Sequence, residues 1–372
     1  METSTKTKLR PKQLEELLAF CLENGFNILI KGKPGIGKTD IVKQSSARIG
    51  HRLIFSHPVL EDPTDKKGLP FVIDGKAVWV KFGDVALLEE LPEERDARIR
   101  GEVFDTDQAW KDAIYAKDKE KIERYQPIDY FLDDLGQATA TVQAVSMQLV
   151  YGGNIGGMYV SKRCRFIAAT NRREDMAGVT GILEPVKGRF FIVELEPNVH
   201  DWIEWALDNN MPTDLISFMR TETRQVNGFK PTKDIENTPT PRNIARVGNA
   251  MRAGIPSGLE YAVYEAGCGD KFALMLKQYI DVKLSLPTPE QIILDPMNAP
   301  VPGSMGARFL ISGMIAEYMT EENIEPSLQY LSRMPDEFET LTMKIVSQRN
   351  RSILATHEFI RWFDKNQDKM KG

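Results

Sequence analysis

Gly32-Lys33-Pro34-Gly35-Ile36-Gly37-Lys38-Thr39 matches the pattern G-x-x-x-x-G-K-[ST] in full. The apolar run Phe26-Asn27-Ile28-Leu29-Ile30 precedes it and predicts a strand. Lys38 to Ile49 follows and predicts a helix. Strand, glycine-rich turn and helix in this order are the context a phosphate-cradling loop requires. Glycines let backbone N–H groups curl around phosphate oxygens, and the helix N-terminus adds its partial positive charge. Lys38 then reaches the terminal phosphates and Thr39 offers a hydroxyl to Mg²⁺. Gly32, Pro34, Gly35, Ile36, Gly37, Lys38, Thr39 and Asp40 are the candidate nucleotide-contacting residues, with ATP and Mg²⁺ as the implied ligands.

Working outward, Leu14, Leu17, Leu18, Cys21 and Leu22 recur at helical spacing, so Pro11 to Gly25 reads as an amphipathic helix. His51 to Ser56 reads as a second strand. A phosphate loop calls for an acid at the tip of a neighbouring apolar strand, to hold the metal through its water shell. Tyr130-Phe131-Leu132-Asp133-Asp134 supplies it. Asp133 is the metal-side acid with Thr39, and Asp134 is placed to polarise the attacking water. Arg165 to Thr170 is another strand, and Asn171 at its tip can bond the γ-phosphate or that water. Phe190 to Leu195 is one more. About five strands alternating with helices make an α/β fold, an open αβα sandwich with a parallel sheet.

Five further stretches have local signatures. Asp74-Gly75 between Phe71-Val72-Ile73 and Ala77-Val78-Trp79-Val80 signals a hairpin. Tyr151 to Val160, with four glycines around Asn154, signals a second hairpin. Asp107 to Arg124 predicts one surface helix. Glu184 to Phe190 predicts a short helix that ends in Arg189, with Lys187 as a competing cation. Thr240-Pro241-Arg242-Asn243 begins a helix. The macrodipole disfavours a cation at that end, so Arg242 suggests a phosphate partner. Beyond Glu196 the chain reads as helical. Trp202–Leu207, Asp214–Arg220, Asn243–Ala253, Tyr261–Glu265 and Asp270–Asp281 are candidate helices. Linkers are expected at 228–241 and 283–300, and three or four helices from Ala307 to Asp364.

The chain has 372 residues, 48 Lys and Arg against 53 Asp and Glu, and a net charge of −5. At roughly 150 residues per domain this length suggests two or three domains. Mild acidity argues against a protein built mainly to grip a phosphate backbone. Lys162, Arg163, Arg165, Arg172 and Arg173 still offer a local basic cluster for nucleic acid. No window approaches the roughly 18 consecutive apolar residues of a membrane span. Met1 to Arg10 is polar and lacks the apolar centre of a signal peptide. Cys21, Cys164 and Cys268 form no C-x-x-C pair, and the four histidines have no metal-ligand spacing. These features point to a reduced, cytoplasmic setting with no membrane partner.

In motif order the chain resembles the AAA+ ATPases, and within them the MoxR-type, dynein-related branch. The resemblance rests on residues 32–39, 62–72 (DPTDKKGLPFV), 130–150, 166–175 (FIAATNRRED), 184–197, 201–206 (DWIEWA) and 240–247 (TPRNIARV). It covers roughly residues 10–285. It implies an AAA+ nucleotide-binding domain over 1–197, an all-helical lid over 198–285 and a C-terminal helical extension over 286–372. Lys38 and Thr39 would be Walker A residues, and Asp133 and Asp134 Walker B. Asn171 would be sensor 1, Arg189 an arginine finger and Arg242 sensor 2. A homo-oligomeric ring, usually a hexamer, is implied, with ATP between subunits and both hairpins facing the pore.

The family's usual partner is a protein with a von Willebrand factor A-like domain, which such ATPases remodel or activate as chaperones. Two alternatives belong beside this. One is a nucleic-acid-associated motor or restriction-type NTPase. The other is a nucleotide-gated scaffold with little turnover, because many relatives carry Glu where Asp134 stands.

Overall fold

The computed structural model describes residues 7–81 and 83–370. The start of the polar segment Met1–Arg10, as far as residue 6, therefore lies outside the described residues. The strands are β1 (Lys8–Leu9), β2 (Ile28–Lys31), β3 (Arg52–Ser56), β4 (Leu69–Ile73), β5 (Lys76–Val80), β6 (Ile128–Leu132), β7 (Asn154–Ile155), β8 (Met158–Tyr159), β9 (Cys164–Thr170) and β10 (Phe191–Leu195). Six of them form one sheet in the order β1-β10-β2-β9-β6-β3. Every pairing in it is parallel. The two expected hairpins are present as β4–β5 and β7–β8, both antiparallel.

A parallel sheet covered on both faces demands strands that are apolar throughout. Ile28, Leu29 and Ile30 in β2 and all five residues of β6 are accordingly buried. Strand alternation then sorts the side chains onto two cores. Leu29, Ile54, Tyr130, Leu132, Phe166 and Ala168 face one way, onto Val145 and Leu149 of the helix Ala140–Gly152. Ile28, Ile30, Phe131, Ile167 and Ala169 face the other way. There they meet Leu14, Leu18 and Leu22 of the helix Pro11–Glu23 and Ile41 and Val42 of the helix Lys38–Arg48. This is the expected αβα sandwich. The buried polar residue Asp129 inside β6 is bonded to His51 Nδ1 at 3.0 Å, which satisfies one of its oxygens.

Local differences from the sequence expectations have physical causes. A sixth strand, β1, joins the sheet edge through only two residues, too few and too polar to leave a periodic signal. The single helix expected over 107–124 is two, Thr106–Ala116 and Lys119–Tyr125. Lys117 adopts a left-handed conformation (φ 55°), and the Asp118 carboxylate accepts from the Lys121 N–H, so one helix stops and a capped one begins. The segment 283–300 is not merely a linker. Thr288 caps the helix Pro289–Leu294, whose Pro289 lies in the first turn, and Ile292 is buried.

The chain divides into two compact units, Met1–Phe272 and Ala273–Gly372, with the boundary inside the helix Asp270–Leu284. In the first unit the sandwich is followed by the helices Val199–Asp208, Thr213–Thr221, Pro241–Ala253 and Glu260–Cys268. The second unit is helical, with its own core of Ile311, Ile315, Tyr330, Leu331, Phe338, Met343 and Phe359. No helix among the described residues is long and apolar enough to cross a membrane.

Candidate functional site

The site lies where three neighbouring strands end at the carboxyl edge of the sheet. The register Lys31↔Thr170 sets the loop after β2 beside Asn171. The register Leu132↔Ala168 brings Asp133 and Asp134 to the other side of β9. Ligands of open α/β sheets bind at this edge, where loops leave the strand ends.

The glycine-rich loop is shaped by two positive φ angles. Gly37 (φ 92°) is the N-cap of the helix Lys38–Arg48, and no atom stands within 4 Å of where its Cβ would be. Open space at a helix N-terminus is what an anion needs. Gly35 (φ 71°) has a different reason: a Cβ there would stand 2.8 Å from Thr240 Oγ1. Thr240 caps the helix Pro241–Ala253 by accepting from Asn243 N–H, and Arg242 N–H donates to Gly35 O at 3.0 Å. The helical part of the first unit thus sits directly on the loop. Ile36 is buried, while Asp40 is exposed in the first turn of the loop's helix.

Lys38 is 7% exposed. Its ammonium donates to Gly32 O at 3.1 Å, Lys33 O at 2.9 Å and Asn171 Oδ1 at 2.8 Å. Asn171 in turn donates through Nδ2 to Asp134 Oδ1 at 3.2 Å. Thr39 Oγ1 donates to Asp133 Oδ2 at 3.0 Å, and Asp133 Oδ1 accepts from the Asp134 N–H at 3.1 Å. Asp133 N–H is tied to Ser56 O, at the tip of β3. One connected set therefore joins Lys38, Asn171, Asp134, Asp133 and Thr39. Asp134 is left-handed (φ 55°), a conformation Asp tolerates better than most residues.

The electrostatics follow from burial. Desolvation pushes the Lys38 ammonium down from 10.5 to about 8, with Arg242 adding to the effect and Asp134 and Asp133 opposing it. Burial, then the neighbouring Asp133 charge, raises the Asp134 carboxyl above its ordinary value, with Lys38 opposing. A hydroxyl and a carboxylate 3.0 Å apart are the oxygen donors Mg²⁺ prefers, since it keeps waters and takes only one or two protein ligands. The residues present fit that ion.

Arg189 stands apart from this set. Its guanidinium lies over the Tyr151 ring, 3.8 Å from the centroid, and its side chain has no hydrogen bond or ion pair among the described residues. The competing cation Lys187 is paired with Glu184. Arg242 is exposed and reaches the site through its backbone contact and its charge.

The structure also contains a network that the sequence did not announce. Arg172 Nε and Nη2 donate to the buried Asp175 at 2.8 and 2.5 Å. Its Nη1 lies 3.6 Å from Glu194, which pairs with Lys31 at 2.8 Å. Lys33 is bound to Asn227. Arg165 is buried against Asp107, Leu22 O and Lys162 O, and Arg163 donates to Arg124 O and Leu87 O. Most of the expected basic cluster is thus occupied internally. Acidic residues pair with Arg165 and Arg172, but Asp107 is remote in sequence and Asp175 lies just past the strand tip, while Arg163 is held by carbonyls that leave no sequence signal.

No protein-family model and no curated protein matches the chain. Among solved structures it is similar to Thermotoga maritima RuvB, a Holliday junction branch migration motor. The identity is 14%, with 87% of this chain and 86% of that one covered and a TM-score of 0.38. It is also similar to Brucella abortus NtrX in complex with ADP, at 12% identity, covering 96% of this chain and 67% of that one with a TM-score of 0.34.

Proposed function

We propose that this chain is an ATP-hydrolysing, ring-forming ATPase of the AAA+ class and of its MoxR-type branch. Its role would be to remodel or activate a partner protein in a chaperone-like manner, with a von Willebrand factor A-like protein as the expected client. The observation that carries the ATPase reading is the connected set Lys38–Asn171–Asp134, with Thr39–Asp133 beside it.

In this reading Lys38 and the loop N–H groups bind the phosphates. Thr39 and Asp133 would hold Mg²⁺, which would supply charge neutralisation for phosphoryl transfer. Asp134 accepts the proton of the attacking water, and Asn171 orients Asp134. Arg189 acts on the nucleotide of a neighbouring copy, and Arg242 contacts phosphate from the lid. The functional division is 1–197, 198–285 and 286–372. The protein-client reading is supported over a nucleic-acid motor by the internal pairing of Arg165 and Arg172. A low-turnover scaffold is favoured by one feature, the short Asp134 side chain.

Purified protein should hydrolyse ATP with Mg²⁺, and Lys38→Ala should abolish nucleotide binding. Binding without turnover above background would select the scaffold. Stimulation by DNA with a steep salt dependence would select the motor. Association of an Asp134→Asn, ATP-loaded form with a von Willebrand-type protein would support the client.

A further inference from the structure

Arg189 is an arginine without an anion. The described residues give its side chain no carboxylate and no hydrogen-bond acceptor, and its Nε is buried with no partner. Several other arginines of the sandwich are placed by acids or carbonyls: Arg165 by Asp107, Arg172 by Asp175, Arg163 by Arg124 O and Leu87 O, and Arg98, which also lies over the Tyr159 ring, by Glu90. Among the described residues, the group that meets the Arg189 guanidinium is a ring face, that of Tyr151, 3.8 Å from the guanidinium carbon.

The backbone on both sides of this contact is fixed. Tyr151 is in the last turn of the helix Ala140–Gly152, whose Val145 and Leu149 are buried in the sheet core. Arg189 leads into β10, where Phe191 N–H donates to Asn27 O and Asn27 Nδ2 donates to Arg189 O. The arginine side chain is therefore the movable part. A free arginine has much rotamer freedom, and it loses freedom when its guanidinium engages a phosphate. A flat ring beneath the guanidinium removes part of that loss in advance. It leaves the terminal nitrogens free, as a carboxylate partner would not. Tyr151 itself is 68% exposed, so burial does not account for the aromatic side chain there.

We propose that Tyr151 is the positioning residue for Arg189, holding its guanidinium ready for the nucleotide of a neighbouring copy. This rests on the reading of Arg189 as acting in trans. The helix that carries Tyr151 starts from Thr139, a few residues beyond Asp134, so each copy's arginine is mounted on an element rooted at its own acidic site.

The test uses mixed assemblies of the full chain. Lys38→Ala copies keep Arg189 but bind no nucleotide, and Arg189→Ala copies bind nucleotide but lack the arginine. Mixing the two is expected to restore ATP hydrolysis. Adding Tyr151→Leu to the Lys38→Ala donor should lower the restored kcat about threefold or more, with KM for ATP unchanged. Tyr151→Phe in the donor should keep the recovery, because the ring face is retained. Tyr151→Leu in the Arg189→Ala acceptor should leave the recovery as it was.

An equal loss from donor and acceptor, no loss from either, or a leucine as good as phenylalanine would overturn the inference. No recovery in the parent mixture would overturn the trans reading itself. A thermal unfolding curve of the Tyr151→Leu chain, expected to match the wild type, separates misfolding from mispositioning.

Discussion

Asn171 Oδ1 accepts the Lys38 ammonium at 2.8 Å, and the same amide turns its Nδ2 to Asp134. The group proposed to bind phosphate and the group proposed to activate water are thus held by one side chain at the tip of β9. Asn171→Ala releases both. Turnover is expected to fall about a hundredfold while ATP still binds, because Lys38 keeps its two backbone acceptors. Parallel measurements of kcat and of equilibrium ATP binding check this, and a binding loss as large as the loss in kcat would contradict it.

The Lys38 ammonium gives a pH dependence with a definite sign. It titrates near 8 in the folded chain against 10.5 ordinarily. Between those values the unfolded chain binds more protons, so this group makes the nucleotide-free protein more stable as pH rises from about 8 to 10.5. Binding behaves oppositely. A polyphosphate favours the charged ammonium, so ATP affinity should weaken above pH 8 by at most about tenfold per pH unit, with proton uptake. Calorimetry in buffers of different ionisation enthalpy measures that uptake directly.

Asp134 is confined by its left-handed backbone as well as by its proposed role. Asp134→Asn should reduce hydrolysis about a hundredfold or more while leaving ATP binding intact. Asp134→Glu adds a methylene at a position whose φ is 55°, and about 1 kcal/mol of stability is expected to be lost in denaturant titration. If Asp134→Glu is as stable as wild type, the conformation is not restrictive.

Gly35→Ala puts a Cβ 2.8 Å from Thr240 Oγ1 at a φ of 71°. Backbone strain and the collision together should cost about 1–2 kcal/mol and weaken ATP binding, since the loop and the capped helix Pro241–Ala253 must move apart. Gly37→Ala has no such neighbour. It should cost only its backbone strain, and comparing the two variants isolates the contact with Thr240.

Arg172→Ala would leave Asp175 buried without its partner. A loss of about 3 kcal/mol is expected, largely recovered by adding Asp175→Asn. A double-mutant cycle in chemical denaturation measures the coupling. A surface arginine would show almost none.

What was legible in the sequence is what depends on near neighbours. The loop 32–39 announced itself because its strand, glycines and helix are contiguous. Asp133, Asp134 and Asn171 were legible because each directly follows an apolar strand. Both hairpins were readable from Asp74-Gly75 and from the glycines around Asn154. The distant pairings were not legible. Thr240 against Gly35, Arg172 against Glu194 and Tyr151 beneath Arg189 join residues far apart in the chain, and neither side of a pair carries a local signal that names the other. β1 escaped because its two residues pair only once β10 is in place. The break at Lys117 escaped because Asp118 can continue a helix as well as cap one.

The strand order also constrains how the chain can fold. β2, which leads into the glycine-rich loop 32–39, pairs with β9 and β10 and, among the described residues, with no strand nearer in sequence. The first of its strand partners to be made begins at Cys164, so during synthesis β2 and its loop emerge long before either neighbouring strand exists. Contacts of such high order form slowly and leave apolar strands uncovered meanwhile. A chain stopped before Cys164 is expected to show no cooperative unfolding, whereas one extended past Leu195 should, and the newly made protein itself becomes a natural client for folding assistance.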